Sequence, residues 1–241
     1  IHHEDGFNED EAERLKPKRN LFRQLALGSA HALVVPSRVL EDVALGAWAQ
    51  PRPRIRRIAN GIDVAAYAVP PAPGAIPGLG KRAGDVVVGT LAGLRAVKNL
   101  PRLVRVVASL GEHVWLAIVG EGPEREAIVA QARALGMEQR LILPGFLPDA
   151  ELSDHYLLAD VFVMPSKKEG FGLVFIEALA CGVPVVAGNA DGSAEALQNG
   201  RLGLLIDPDN PAAIAGAIRQ TLQHPGDPAT RQKAVAAAFN Y

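Results

Sequence analysis

Two glutamates on either side of a glycine-rich turn have the spacing to bind hydroxyl groups of one ligand. Glu169 and Glu177 flank a turn that contains Gly170 and Gly172. Carboxylates only accept hydrogen bonds, which suits vicinal hydroxyls, and glycines let backbone N–H groups approach a phosphate. Glu177 is the only charged residue between positions 170 and 187, which is unfavourable unless a donor reaches it. The alternative is that Glu177 faces water on an amphipathic helix and that Glu169 lies on an ordinary loop.

A second glycine-rich turn carries two cations. Within residues 89–99, Arg95 and Lys98 follow glycines that leave an apolar run. Phosphate is the ligand that such a turn suits, because guanidinium and ammonium groups bind its oxygens directly. The alternative is that both cations are solvated at the beginning of a helix, although the positive end of the helix dipole disfavours cations there.

Short apolar runs that alternate with helical patterns must position these residues. Buried strands separated by helices favour parallel pairing with helices on both faces, so we predict an α/β fold with a doubly wound, Rossmann-like sheet. In such sheets ligands bind beyond the carboxyl ends of the strands, which is where both turns lie. The predicted strands are residues 32–36, 55–59, 86–91, 114–119, 141–143, 161–164, 183–187 and 203–206.

A segment rich in proline and glycine, residues 69–84, divides the chain. We predict that residues 1–68 are the end of an N-terminal Rossmann-like domain and that residues 85–241 form a C-terminal domain. The chain begins at Ile1 in what resembles the end of a buried strand. We therefore expect the opening strands of the first domain to lie outside this sequence.

Composition limits the class of partner. The 25 basic and 26 acidic residues nearly cancel, so we expect no nucleic-acid partner. The single cysteine, Cys181, excludes an intramolecular disulfide framework, and no apolar run has membrane-spanning length. We expect a cytoplasmic protein. The basic run 16–23 leaves open a peripheral contact with the inner face of a membrane, and the alternative is a solvated helix start.

The segment from Glu169 to Glu177 resembles the E-x7-E motif of retaining glycosyltransferases of family 4, the "glycosyl transferases group 1", which have the GT-B fold. Residues 178–186 resemble the helix and strand that follow this motif, and residues 31–38 and 57–63 resemble the end of the family's acceptor domain. The resemblance therefore covers nearly the whole chain and implies a GT-B-type protein whose C-terminal domain binds a nucleotide-sugar.

The resemblance also implies roles for individual residues. Glu177 would accept hydrogen bonds from the ribose hydroxyls and Glu169 from those of the donor sugar. Lys98 and an arginine would bind the diphosphate and stabilise it as it leaves. The position that is usually basic in the family holds Gly93 here. Either Arg95 reaches the phosphate by another route, or Lys98 acts alone.

Further donor contacts are expected from the loops after the strands. The turn at residues 120–122 begins with the G-x-G pattern of a dinucleotide-binding fingerprint, but Arg125 occupies the position of the third glycine, which argues against such a site. The turn is expected to lie beside the nucleotide, and a tight turn without a ligand is an equal alternative for Gly120 and Gly122. Residues 191–195 resemble a Gly-Gly-x-Pro-Glu stretch at the far wall of the donor pocket, with Ser193 alternatively capping a helix. The predicted donor-binding residues besides Glu177 are Gly93, Gly120, Gly122, Phe146, Gly170, Phe171, Gly172 and Leu173.

His2 and His3 stand where the family has a strand that ends in an active-site histidine, and His3 is the better match. The alternative is that both are solvated. With Glu169, Lys98 and Arg95, His3 completes the predicted catalytic set.

The predicted function is retaining transfer of a sugar from a UDP-, GDP- or ADP-sugar to a glycan, a lipid-linked acceptor or a small molecule, without cofactor or metal. Two alternatives remain, a sugar-nucleotide epimerase of the same architecture and a non-catalytic protein that binds nucleotide-sugars. The sequence leaves open the donor base, the donor sugar and the acceptor.

Overall fold

The computed structural model describes residues 1–3, 16–67, 82–189 and 192–240, which form two parallel sheets. The first sheet has the order β1-β2-β3, and two helices accompany it. Helix α2 begins where the Ser37 side chain accepts a hydrogen bond from the backbone N–H of Leu40. The predicted basic run begins α1. These elements are β1 (His2–His3), α1 (Pro17–Leu27), β2 (Leu33–Val35), α2 (Arg38–Leu45) and β3 (Ile55–Arg57).

The second sheet has six parallel strands in the order β6-β5-β4-β7-β8-β9. Together the two sheets confirm all eight predicted strands, with ends that shift by no more than a few residues. The strands of the second sheet are β4 (Val86–Leu91), β5 (Val114–Val119), β6 (Leu141–Gly145), β7 (Val161–Met164), β8 (Val185–Gly188) and β9 (Leu204–Ile206).

Helices connect these strands and cover both faces of the sheet. They are α3 (Leu100–Ala108), α4 (Arg125–Ala134), α5 (Asp149–Leu157), α6 (Leu173–Ala180), α7 (Ser193–Ala196), α8 (Pro211–Gln223) and α9 (Pro228–Phe239). Proline in the first turn and the side chains of Asn210 and Asp227 begin the last two helices. No helix in the described part of the chain has the length and apolarity to cross a membrane.

Alternate residues of β7 enter different cores. Val161 and Val163 pack with α3, α4 and α8 on one face, whereas Phe162 and Met164 pack with α6 and α9 on the other. Because both faces of a parallel sheet are buried, each strand is apolar throughout, which explains why its sequence predicts it so clearly.

The order of connections reverses between β4 and β7. The chain runs outward from β4 through β5 to β6 and then crosses back to β7 on the other side of β4. The carboxyl ends of β4 and β7 therefore border the crevice in which doubly wound folds bind ligands. The two glycine-rich turns of the sequence follow these two strands.

The end of α9 returns to the first part of the chain. The backbone N–H of Ile62 donates to the carbonyl of Phe239 at 2.9 Å, and that of Val64 donates to Oδ1 of Asn240 at 3.2 Å.

Residues 68–81 lie outside the described residues, so the domain boundary predicted over 69–84 stays a prediction.

Candidate functional site

A cavity of about 390 Å³ opens at the carboxyl ends of β4 and β5 and at the beginning of α6. We call it the donor cavity. Phe146 lies at its rim with 77% of its surface exposed. Seven of the predicted site residues line this cavity, namely Gly93, Lys98, Gly120, Phe146, Glu169, Gly172 and Leu173.

Lys98 and Glu169 form an ion pair in the wall of the donor cavity. Both side chains are largely buried, with 16% of each exposed, and Nζ of Lys98 donates to Oε2 of Glu169. The two loops are also joined through the backbone, because the N–H of Lys167 donates to the carbonyl of Val97 at 2.9 Å. The fold thus brings together two residues that are 71 positions apart in the sequence.

The turn that carries Lys98 is fixed by Asn99. This residue has a left-handed backbone conformation (φ 58°), and its side-chain Nδ2 donates to the carbonyl of Pro208 at 2.7 Å. Its side chain makes no cap hydrogen bond to α3. Asn99 therefore occupies the N-cap position of α3 without capping it through its side chain, because the amide group attaches the loop to the segment after β9.

The side chain of Arg95 folds back over Gly93. A Cβ atom built on Gly93 would lie 3.6 Å from Nε of Arg95 and 3.9 Å from its Cγ and Cδ. Arg95 is not among the residues that line the donor cavity, whereas Gly93 is. The space next to position 93, where the family usually has a basic side chain, is thus occupied by the stem of Arg95.

Glu177 lies on α6, one turn beyond Leu173 and Val174, which line the donor cavity. Glu177 itself is not one of the lining residues. Its Oε2 accepts a hydrogen bond of 2.7 Å from the hydroxyl of Tyr156. A carboxylate can accept several hydrogen bonds, so this bond leaves acceptor capacity for a ligand.

Tyr156 is a site residue that sequence reasoning missed. Its side chain is 2% exposed and packs against Phe162 with ring centroids 5.5 Å apart. Burial raises the pKa of its hydroxyl well above the ordinary value, and the nearby Glu177 raises this pKa further. Tyr156 therefore stays protonated and serves as a permanent donor to Glu177.

Gly120 and Gly122 are needed for backbone packing. Both have positive φ (134° and 156°), and a Cβ atom would lie 2.0 Å from the carbonyl oxygen of Ala92 for Gly120 and 2.6 Å from that of Leu94 for Gly122. Gly120 lines the donor cavity and Gly122 does not. The tight-turn alternative accounts for both glycines without a ligand.

The glycines after Glu169 serve different purposes. Gly172 precedes α6 with φ +92°, and a Cβ atom there would lie 2.4 Å from the ring of Phe175. The carbonyl of Gly170 faces Gly192, where a Cβ atom would approach it to 2.2 Å. Gly170 does not line the donor cavity.

Phe171 belongs to the core. Its side chain is 3% exposed and packs edge-on against Phe239, with ring centroids 5.9 Å apart. The apolar ring packs with residues of α6 and α9 and does not line the donor cavity, so the predicted donor contact of Phe171 stays a prediction for its backbone. Only its backbone remains available to a ligand.

Glu195, in the segment that resembles the far wall of the donor pocket, contacts residues of the first part of the chain. Oε1 of Glu195 accepts a hydrogen bond from the backbone N–H of Arg38 at the beginning of α2, and Oε2 lies 3.7 Å from Nη1 of Arg57. Asp191 lies outside the described residues. The cap position of α7 is Gly192, and Ser193 is the first helical residue, so the alternative of a Ser193 cap is wrong.

His3 ends β1 and is exposed. It pairs with Val34 of β2 and is not among the residues that line the donor cavity. Because β1 and β2 are parallel, His3 lies at the same edge of the first sheet as the N-terminus of α2, which contacts Glu195. Its catalytic role stays a prediction.

Comparison with known proteins places the chain in a family. The model of glycosyl transferases group 1 matches residues 75–240. A "GDP-mannose-dependent alpha-(1-6)-phosphatidylinositol monomannoside mannosyltransferase" of Mycolicibacterium smegmatis is 37% identical over 158 residues, 61% of this chain and 41% of that protein. A "D-inositol 3-phosphate glycosyltransferase" of Acidothermus cellulolyticus is 35% identical over 198 residues, 77% of this chain and 43% of that protein. The chain thus spans less than half the length of these relatives.

Solved structures share the fold. Anabaena HepE in complex with UDP and glucose has a TM-score of 0.84 at 24% identity, covering 99% of this chain and 67% of that one. Sucrose-phosphate synthase from Thermosynechococcus elongatus has a TM-score of 0.80 at 26% identity, and the match covers 96% of this chain and 59% of the synthase chain. The predicted α/β fold class of GT-B type is confirmed. Because the family model matches most of the sequence, this chain belongs to the glycosyl transferases group 1 family.

Proposed function

We propose that this chain is the donor-binding part of a retaining glycosyltransferase, which moves a sugar from a nucleoside diphosphate sugar to a glycan, a lipid-linked acceptor or a small molecule. The observation that carries this proposal is the ion pair of Lys98 and Glu169 in the donor cavity. One partner is a cation suited to a phosphate, and the other is an acceptor suited to sugar hydroxyls.

The diphosphate would bind between the turn after β4 and the beginning of α6. Lys98 supplies one positive charge, and Arg95, whose stem covers Gly93, supplies a second. The N-terminus of α6 adds unpaired N–H groups and the positive end of the helix dipole, and Gly172 lets the chain enter this helix. These groups would stabilise the negative charge that develops on the leaving diphosphate, without metal.

The sugar and the ribose would lie on either side of this diphosphate. Without a donor, Glu169 is paired with Lys98. Because a bound diphosphate gives Lys98 a second anionic partner, Glu169 would then accept hydrogen bonds from the hydroxyls of the donor sugar. Glu177, fixed by Tyr156, would accept hydrogen bonds from the ribose. Phe146 at the rim offers an exposed ring against which a base can stack. Catalysis would come mainly from position and charge.

The names of the relatives support this proposal and extend it to the donor. One relative is described as GDP-mannose-dependent, and HepE was solved with UDP and glucose. We propose that the donor is a UDP-, GDP- or ADP-sugar and that the base is read near Phe146 and residues 120–122. The binding experiment described next determines which of the three bases the site prefers.

The test is a pair of isosteric changes, Glu169→Gln and Glu177→Gln, with Glu112→Gln on an exposed turn as the matched control. A panel of UDP-, GDP- and ADP-sugars is titrated into each protein, and transfer of a labelled sugar is followed with the same variants in the transferase of which the chain forms the donor-binding part. We expect Glu169→Gln to lower transfer by about 100-fold or more and Glu177→Gln to weaken nucleotide binding. Unchanged binding and transfer in both variants would refute the proposal.

The products of one labelled donor separate the proposal from its two alternatives. A glycosyltransferase releases the nucleoside diphosphate and places the label on an acceptor. An epimerase returns the label as an altered sugar that is still attached to the nucleotide. Binding with neither product would favour a non-catalytic protein.

A further inference from the structure

A second cavity lies at the opposite end of the second sheet. It has a volume of about 320 Å³ and opens at the amino ends of β8 and β9, next to the segment that joins α8 to α9. We call it the back cavity. It shares no lining residue with the donor cavity, which lies at the carboxyl end of the same sheet. A ligand there would not compete for space with a donor.

The back cavity is lined by basic side chains and by no acidic one. Arg201, His224 and Arg231 line it, and none of its lining residues, all of which the structure describes, is an aspartate or a glutamate. Gln220 and Thr221 add polar groups from the last turns of α8. Two arginines around a recess without a carboxylate create a local positive potential that favours an anion.

Arg231 is held in place as part of this cavity. Its Nε donates to the carbonyl of Gly182 at 2.8 Å, and Nη1 donates to the carbonyl of Pro225. These bonds use two of the five N–H donors of a guanidinium group. Partial burial lowers the pKa of Arg231, because burial disfavours the charged form, while Asp227 opposes this effect. An anionic ligand would offset the cost of burying this charge.

Asp227, the carboxylate whose charge acts on Arg231, is used to cap a helix. Asp227 caps α9, and its carboxylate accepts hydrogen bonds from the backbone N–H of Ala229 at 3.3 Å and of Thr230 at 2.9 Å. It also accepts a bond of 2.6 Å from the hydroxyl of Thr230. Asp227 is therefore turned toward the beginning of the helix and does not line the back cavity.

We propose that the back cavity binds a small phosphate monoester. Guanidinium groups match the oxygens of a phosphate and can bind them through paired hydrogen bonds. The volume of about 320 Å³ is in the range of small-molecule sites, so it accommodates a polar body attached to the phosphate. Gln220 and Thr221 are suited to hydrogen bonds with the hydroxyls of that body.

The experiment uses glucose 1-phosphate and inorganic phosphate as probes, titrated into the chain by calorimetry. Four variants are compared with the original protein: Arg201→Ala and His224→Ala in the back cavity, Lys98→Ala in the donor cavity, and Arg219→Ala as a control. Arg219 is an exposed cation on α8 that does not line the back cavity. Thermal unfolding of each variant confirms that it is folded.

We expect glucose 1-phosphate to bind more tightly than inorganic phosphate. Arg201→Ala should weaken its binding by about tenfold, His224→Ala should weaken it less, and Lys98→Ala and Arg219→Ala should leave it unchanged. The proposal fails if neither probe binds, if both bind equally, or if Lys98→Ala removes binding while Arg201→Ala does not. The last result would assign the phosphate to the donor cavity and leave the proposed transferase function intact.

Discussion

Arg95 lies two positions after Gly93, at which the family resemblance implies a basic residue. The side chain of Arg95 lies next to the space that a side chain at position 93 would fill. Gly93 is not among the glycines with positive φ, so another residue would fit there without backbone strain. The two positions are therefore exchangeable in physical terms, which leads to a direct test.

We predict that Arg95→Ala weakens donor binding by about tenfold, because a charge-assisted hydrogen bond to phosphate is lost. The double variant Gly93→Arg, Arg95→Ala should recover most of this loss by supplying the guanidinium from the usual position. Titration with a nucleoside diphosphate measures both. If Arg95→Ala binds as tightly as the original protein, Lys98 acts alone and our assignment of Arg95 is wrong.

A second residue-scale prediction concerns Tyr156. Tyr156→Phe keeps the buried ring but removes the hydroxyl that donates to Glu177. We expect the free energy of unfolding to fall by about 1–3 kcal/mol, because a partly buried carboxylate oxygen loses its donor. Urea denaturation measures this change.

A merely structural role for Tyr156 would end with that loss of stability. If Tyr156 also positions Glu177 for the ribose, Tyr156→Phe should in addition reduce the preference for a ribonucleotide over its 2′-deoxy analogue. An unchanged preference would contradict the positioning role. The comparison is made within one variant, so differences in stability between proteins do not enter it.

At the scale of elements, close approach between turns explains which glycines are required. The turn from β5 to α4 lies against the turn from β4, and its glycines leave room for the carbonyls of Ala92 and Leu94. The N–H of Leu94 donates to the carbonyl of Glu121 at 2.9 Å, and the N–H of Glu124 donates to the carbonyl of Leu94 at 2.9 Å. One wall of the donor cavity is thus built from two turns that pack through their backbones.

Two glycine-to-alanine changes should therefore have opposite effects. Gly120→Ala places a Cβ atom 2.0 Å from the Ala92 carbonyl at positive φ, and we expect it to lower the free energy of unfolding by about 3 kcal/mol or more. Gly216→Ala lies inside α8 with no atom within 4 Å of the new methyl group. It should raise stability by about 0.5–1 kcal/mol. Urea unfolding decides both, and a stable Gly120→Ala protein would show that the turn can move.

The sequence predicts well the strands and the two glycine-rich turns that follow β4 and β7, because both are local signals. A strand such as β7 is apolar throughout since it is buried on both faces, and the segments after β4 and β7 meet because the order of connections reverses between them. Other features depend on distant partners. Tyr156 lies 21 residues before the glutamate that it contacts, and the ring of Phe171 is as apolar in a core as in a cavity. No local pattern separates these cases.

At the scale of the whole molecule, Glu195 contacts the first sheet across the two parts of the chain. It accepts the N–H of Arg38 at the positive end of the α2 dipole and pairs with Arg57, which also lies 3.2 Å from Glu41. The ion pair itself is partly exposed and contributes little. The hydrogen bond to a helix N-terminus is charge-assisted and contributes more.

This difference makes two substitutions at Glu195 distinguishable. Glu195→Ala removes both interactions, and we expect the amide of Arg38 to exchange its hydrogen about 10-fold faster or more, equivalent to about 1.4 kcal/mol. Glu195→Gln keeps an acceptor for that amide and loses only the charge, so its effect should be smaller. Amides of β6, far from this contact, serve as the internal control. Equal exchange at Arg38 in all three proteins would mean that the first sheet holds its position without Glu195, for which the backbone bonds between residues 62–64 and the end of α9 are available.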